Sequence, residues 1–189
     1  MEPLKILALS GSLRLGSFNT AALRAAQELA SAELMIDIAA INEIPLYNQD
    51  VQAEGFPQPV LQLGEAVRRA DAVLIATPEY NYSIPGVLKN TLDWLSRLPE
   101  QPFSGKPIAI IGASGGMIGT ARAQYHLRQV FVFLNAHVMN RPEIMISLAH
   151  QKFDEQGRLN DESTRQLMSK MLTALVNWTR MIKVGQAAI

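Results

Sequence analysis

Two hydrophobic patterns alternate along the chain. Leu4-Lys5-Ile6-Leu7-Ala8-Leu9, Ala72-Val73-Leu74-Ile75-Ala76 and Pro107-Ile108-Ala109-Ile110-Ile111 are short, mostly apolar runs. They stop at Ser10-Gly11-Ser12, Thr77-Pro78 and Gly112-Ala113-Ser114-Gly115-Gly116, respectively. Runs of this length between turn residues predict strands buried on both faces, as in a parallel sheet. Leu34–Ala39 and Ala136–Met139 are weaker strand candidates. Between the runs the period becomes helical. Phe18, Ala22, Ala25 and Leu29 form one apolar stripe, and Met168, Met171, Leu172, Leu175 and Ile182 form another in the last helix. Leu61–Ala70, Val87–Leu98 and a segment from Thr120 to Leu134 supply further helices. The last of these ends in Val130-Phe131-Val132-Phe133-Leu134, apolar all round. Asn160-Asp161-Glu162-Ser163 offers capping side chains at the start of the final helix. Ile41–Pro57 reads as one long irregular stretch, and Asp154–Arg158 as a turn or small hairpin. Strand–helix alternation over residues 1–189 predicts a single α/β domain with right-handed crossovers. Five strands favour a parallel sheet of order 2-1-3-4-5 between two helical layers, the flavodoxin-like three-layer sandwich.

In such a sheet ligands bind outside the carboxyl ends of the strands, where the strand order reverses. The loops after strands 1, 3 and 4 should therefore converge. Ser10-Gly11-Ser12-Leu13-Arg14-Leu15-Gly16-Ser17-Phe18-Asn19 joins a strand to a helix N-terminus. That junction suits an anion, with hydroxyls from Ser10, Ser12 and Ser17 and a full charge from Arg14. The plainer alternative is that Ser17 or Asn19 only caps the helix while Arg14 is solvated. The Gly11-x4-Gly16 spacing resembles a nucleotide phosphate loop, but Ser17 stands where that loop needs Lys, and no G-x-G-x-x-G is present. Thr77-Pro78-Glu79-Tyr80-Asn81-Tyr82-Ser83-Ile84-Pro85-Gly86 offers backbone groups, an amide and two aromatic rings, which fit the edge and face of a heterocycle. A rigid turn with half-buried tyrosines is its alternative. In the third loop, Gly112-Ala113-Ser114-Gly115-Gly116 lets the backbone approach a ligand. It also matches the hydrolase elbow G-x-S-x-G. That alternative permits only the order Ser114…Glu143…His150 and leaves the other two loops without a use.

Composition narrows the chemistry. The 17 Lys+Arg balance the 17 Asp+Glu, which argues against nucleic acid or an anionic membrane as partner. The absence of Cys excludes disulfides, thiolate metal sites and thiol catalysis. His126, His137 and His150 lack metal-ligand spacing and read as surface or interface residues. The eight Met residues read as core filler, and the charges of the last helix as a solvated face. No apolar run reaches 18 residues, so no membrane span is expected. Met1-Glu2-Pro3-Leu4-Lys5 leads straight into a strand with no signal-peptide pattern, and a cytoplasmic location is expected.

Two segments carry a family resemblance. Ser10-Gly11-Ser12-Leu13-Arg14-x-Gly16-Ser17-Phe18-Asn19, with Thr77-Pro78-Glu79-Tyr80-Asn81-Tyr82-Ser83-Ile84-Pro85-Gly86-x-Leu88-Lys89-Asn90-x-x-Asp93-Trp94, resembles the NADPH-dependent FMN reductase family, near its bacterial quinone and chromate reductases and azoreductases. The similarity spans essentially the whole chain. Ser114-Gly115-Gly116 departs mildly from the pattern. The resemblance implies FMN as cofactor and NADPH or NADH as co-substrate. Ser10, Ser12, Arg14, Ser17 and Asn19 would hold the FMN phosphate, with Phe18 among them. Pro78, Glu79, Tyr80 and Asn81, with Tyr82 and Ser83, would face the isoalloxazine ring or ribityl chain. Ser114, Gly115 and Gly116 would approach the pyrimidine edge. No catalytic side chain is expected, because the flavin carries the chemistry. The implied reaction is ping-pong transfer of two electrons to a small acceptor such as a quinone, an azo compound or chromate. The resemblance further implies a homodimer or homotetramer, with Tyr82, Arg122, Tyr125 and Glu143 in a polar interface network. A flavodoxin-type electron carrier is the alternative from another class, but such carriers dock through charge, and the balance here is zero. A receiver-type signalling domain would need acidic strand ends where Ser, Thr and Gly stand.

Overall fold

The computed structural model describes residues 2–187. In chain order it contains β1 (Leu4–Ser10), α1 (Phe18–Leu29), β2 (Leu34–Ala39), α2 (Gln49–Glu54), α3 (Gln58–Arg69), β3 (Ala72–Ala76), α4 (Gly86–Leu95), β4 (Pro107–Ala113), α5 (Ala121–Phe133), β5 (His137–Val138), β6 (Ile144–Ile146) and α6 (Glu162–Ala187). All paired strands run parallel, in the order β2-β1-β3-β4-β5. This is the predicted flavodoxin-like α/β arrangement.

The two faces of the sheet are set by residue parity along each strand. Ile6, Ala8, Leu74, Ala76, Ala109 and Ile111 point to the layer formed by α1 and α6. Leu7, Leu9, Val73, Ile75, Ile108 and Ile110 point to α3, α4 and α5. β3 is buried at every position, which is why its sequence carries no polar residue.

The outer lane differs from expectation. Instead of one strand over Ala136–Met139, β5 pairs with Pro107–Ile108 and β6 pairs with Ile111–Ala113 of the same β4. The segment between them contains Pro142, which has no N–H for a ladder, and exposed Asn140 and Arg141. Ile41–Pro57 is also less irregular than expected, since it holds α2. Asn48 Oδ1 caps that helix by accepting from Asp50 N (2.8 Å), and Gly55 ends it at φ 134°. The stretch is strapped onto α4. Pro45 O accepts from Asn90 Nδ2 (2.8 Å) and Trp94 Nε1 (2.9 Å), and Tyr47 N donates to Asn90 Oδ1 (2.8 Å).

Asp154 builds the expected turn by accepting from the N–H groups of Gln156 and Arg158, and Phe153 bridges to Leu159. Asp161 accepts from Thr164 N at the start of α6. Two composition readings need correction. Met139, Met168 and Met171 are core, but Met35, Met117 and Met181 are exposed. The charges of α6 are not all merely solvated: Arg180 pairs with Glu33 (2.8 Å) and Lys183 with Asp71 (2.6 Å), tying the helix to neighbouring elements. Among the described residues no helix is long and apolar enough to cross a membrane.

Candidate functional site

β1, β3 and β4 end nearly level, because Ser10 is registered with Ala76 and Ala76 with Ile111. Gly11 N donates to Ala76 O (2.8 Å) and Thr77 N to Ile111 O (3.0 Å), so the three loops leave the sheet side by side. Two glycines permit this closeness. A Cβ on Gly11 would sit 3.1–3.3 Å from Leu88, Pro78 and Pro85. One on Gly112 would overlap Thr120 Oγ1 and lie 2.6 Å from Thr77 O. The result is a cleft of about 310 Å³.

One wall is the first loop, through Ser12, Arg14, Ser17, Phe18 and Asn19. Ser17 Oγ caps α1, accepting from Asn19 N (3.2 Å) and Thr20 N (3.3 Å). Arg14 is exposed, and its side chain makes no hydrogen bond or ion pair among the described residues. Ser10 lies behind this wall and not on it. Its buried hydroxyl meets Thr20 Oγ1 (2.9 Å). Asn19 is 3% exposed, and both ends of its amide are committed to β4. Its Nδ2 donates to Ala113 O (2.9 Å) and its Oδ1 accepts from Ala113 N (2.9 Å). It clamps α1 to the sheet from within.

The second wall is Pro78, Glu79 and Tyr80. The chain then reverses through Asn81 (φ 49°) and Tyr82 (φ 67°), and Tyr80 and Ser83 exchange both backbone hydrogen bonds (3.1 and 3.0 Å). Asn81, Tyr82 and Ser83 therefore form the back of the wall and do not line the cleft. Glu79 turns away from solvent toward α5. Its Oε1 accepts from Arg122 Nε (2.6 Å) and meets Arg122 Nη2 (2.6 Å), while its Oε2 accepts from Ala123 N (3.2 Å). The Arg122 guanidinium lies 3.4 Å from the Tyr82 ring centroid. Partial desolvation opposes the Arg122 charge, but its hydrogen bonds to the Glu79 carboxylate outweigh it, so its pKa lies above the usual arginine value.

The third wall is Ala113, Ser114 and Gly115, with Gly116 exposed just beyond. It is held from outside by residues 146–149, whose pairing with this loop no sequence motif announces. Ser114 N donates to Ile146 O (3.0 Å), Ala149 N to Ser114 O (2.9 Å) and Leu148 N to Gly116 O (3.1 Å). A hydrolase triad is not assembled. The hydrogen bond of Ser114 Oγ goes to Gly116 O (3.5 Å), and Glu143 pairs with Arg141. Of the four residues grouped by the resemblance, Tyr82 and Arg122 meet within the chain. Tyr125 stands exposed on α5, and Glu143 pairs with Arg141. Val132 and Phe133 at the end of α5 are 79% and 84% exposed, whereas Phe131 and Leu134 are buried. No group of three or more His, Asp or Glu that could hold a metal occurs among the described residues.

The cleft thus has two chemistries. At the first loop a free guanidinium, two hydroxyls and the positive end of a 12-residue helix face one space, a donor set for a phosphate. Pro78–Tyr80 and Ser114–Gly115 form the remaining walls of the same cleft. The donor set and the walls fit a flavin mononucleotide.

Comparison with known proteins agrees. The family model for NADPH-dependent FMN reductase matches residues 4–151. The chain is similar to an NAD(P)H-dependent FMN reductase of Pseudomonas aeruginosa, 57% identical over 96% of this chain and 98% of the relative. It is similar to a quinone reductase of Escherichia coli K12, 49% identical over 97% and 99% of the two chains. Among solved structures, a flavoenzyme NAD(P)H:(acceptor) oxidoreductase of Paracoccus denitrificans superposes with a TM-score of 0.86 at 35% identity, covering 94% of this chain and 98% of that one.

Proposed function

From the premise that this chain belongs to the NADPH-dependent FMN reductase family and is an oxidoreductase, we propose that it carries two electrons from NAD(P)H to quinones, with azo compounds and chromate as further acceptors. The observation that carries the reading is the convergence of three loops on one cleft with a phosphate end and a ring end. When bound, FMN would supply the two-electron redox chemistry between the nicotinamide and the acceptor. Ser12, Arg14, Ser17 and the α1 N-terminus hold the phosphate. Ser10 and Asn19 act from behind, fixing the loop and the helix against the sheet. Pro78, Glu79 and Tyr80 wall the ring, stiffened by the turn through Asn81, Tyr82 and Ser83. The backbone of Ser114, Gly115 and Gly116 would border the ring's polar edge; Ser114 N is taken by Ile146 O, so the N–H groups of Gly115 and Gly116 would be the ones to favour developing negative charge. No side chain has to exchange a proton with substrate in this scheme.

Donor and acceptor use the same open cleft in turn, so the kinetics are ping-pong. Val132 and Phe133 present apolar surface beyond what one subunit covers, and we propose a homodimer or homotetramer built partly on the α5 face that also carries Tyr125. A cytoplasmic location goes with a soluble nicotinamide donor. The deciding experiment is steady-state NAD(P)H oxidation by the FMN-loaded protein with a benzoquinone and no partner protein. Parallel double-reciprocal lines are expected. Intersecting lines would reject the alternating scheme, and turnover only after adding a protein partner would make the chain a carrier.

A further inference from the structure

We propose that Arg122 is a positioning residue of the flavin site. From the first turn of α5 it sets the shape of the Pro78–Ser83 loop through Glu79 and Tyr82. The inference rests on the flavin reading above and concerns only the ring-side wall.

Three observations carry it. First, α5 starts without a cap of its own. Thr120 precedes it in the left-handed region and makes no side-chain cap bond. A helix start has unpaired N–H groups and favours negative charge. Glu79 supplies both from a distant loop, accepting from Ala123 N. Second, that carboxylate side chain is only 7% exposed, and a charge so placed needs a matched cation. Arg122 provides it through Nε and Nη2. Third, the turn that follows is strained. A two-residue turn with both central residues at positive φ suits Asn-Gly, and here Asn81 is followed by a tyrosine at φ 67°. The Arg122 guanidinium stacked on the Tyr82 ring holds that side chain from outside the loop.

Arg122 does not line the cleft, yet Glu79 is the middle residue of the stretch that does, Pro78–Tyr80, and Tyr82 lies two residues beyond its end. Without it, Glu79 is a buried charge left with Ala123 N alone, and the strained turn at Tyr82 keeps only the backbone bonds between Tyr80 and Ser83 and the Ser83–His126 contact. The main chain of Pro78–Tyr80 then relaxes. Two nitrogens and the flat face of the guanidinium are engaged inside one chain, so this role does not depend on a partner subunit.

The test compares FMN and riboflavin binding, by flavin fluorescence, to the flavin-stripped full-length chain and to Arg122→Gln, Arg122→Lys, Glu79→Gln and the Glu79→Gln/Arg122→Gln double variant. Melting temperature and sedimentation are followed in parallel. Arg122→Gln is expected to lower both affinities by the same factor, about tenfold, leaving the FMN-to-riboflavin ratio unchanged because the phosphate end is untouched. Arg122→Lys keeps the charge but not the fork or the flat face, and is expected to restore little. The double variant is expected to bind no more weakly than the weaker single one. Wild-type affinity in Arg122→Gln, full recovery by Lys, multiplied losses in the double variant, or a loss seen only when subunits dissociate would each overturn the proposal. A wild-type chain that binds neither flavin would instead overturn the flavin reading.

Discussion

The two ends of the sheet are built from similar materials and finished in opposite ways. At the amino end of β3 and β4, polar groups are committed to one another. Lys106 Nζ donates to the carbonyls of Arg68 (3.1 Å) and Ala70 (2.7 Å), closing the last turn of α3. Asp71 accepts from Lys5 N (2.7 Å) and Lys183 Nζ (2.6 Å), and Gln186 Nε2 donates to Gly105 O (2.8 Å). At the carboxyl end, the clamps lie one layer back. Ser10 and the side-chain ends of Asn19 and Glu79 are committed to the protein itself, while Arg14 and Ser12 face open space and Ser17, which caps α1, borders it. The lesson is that a ligand cleft in this fold is not a looser region. It is a region whose rigid contacts have been moved behind the surface that receives the ligand.

The comparison can be broken at three points. The largest effect is expected at the carboxyl end from Gly112→Val. The added side chain has no space between Thr120 and Thr77, and unfolding stability should fall by about 3 kcal/mol in urea titrations, with loss of retained flavin. Stability within a few tenths of the parent would mean that the loops do not need this close approach. Next, Arg14→Ala should weaken FMN binding by about 1.5–3 kcal/mol while leaving riboflavin, which lacks the phosphate, unaffected. An equal loss for both ligands would remove Arg14 from the phosphate end.

The smallest effect is expected at the amino end. Burial raises the Asp71 carboxyl, but the bonds from Lys183 and Lys5 N lower it further, so its pKa lies below the usual aspartate value in the fold. A depressed pKa gives stability that is present above the unfolded-state value and is lost as pH falls through the folded one, on the acid side of about pH 4. Asp71→Asn should therefore cost at most about 1 kcal/mol at neutral pH, because the pair is partly solvated. The difference from the parent should shrink toward zero in acid, and FMN affinity should not change. A change in FMN affinity would show that the two ends are coupled.

How much of this was legible in the sequence depended on whether a residue's chemistry also revealed its direction. β1, β3 and β4 could be read because strands buried on both faces leave unbroken apolar runs, and the strand ends then located the three loops. β5 could be read only as a weak run over Ala136–Met139 and β6 not at all, since short outer strands carry mixed residues and their pairing is decided by β4. α2 buries nothing, so no apolar stripe announced it; its signals were only Asn48 and Gly55. In the site, Ser10 and Asn19 had the right chemistry for a phosphate, but their types do not say which way they face. Both point inward. The Glu79–Arg122 pair joins residues from different loops and helices, and only the fold brings them together.

The divided outer lane has a consequence for how this molecule behaves among its neighbours. β5 has two residues and β6 three, separated by a segment carrying Pro142. A long, flat border strand would offer a row of backbone donors and acceptors on which another chain could template itself. This border is too short and too broken for that. The interruption that splits the lane into two pieces also guards that side of the sheet against edge-to-edge aggregation.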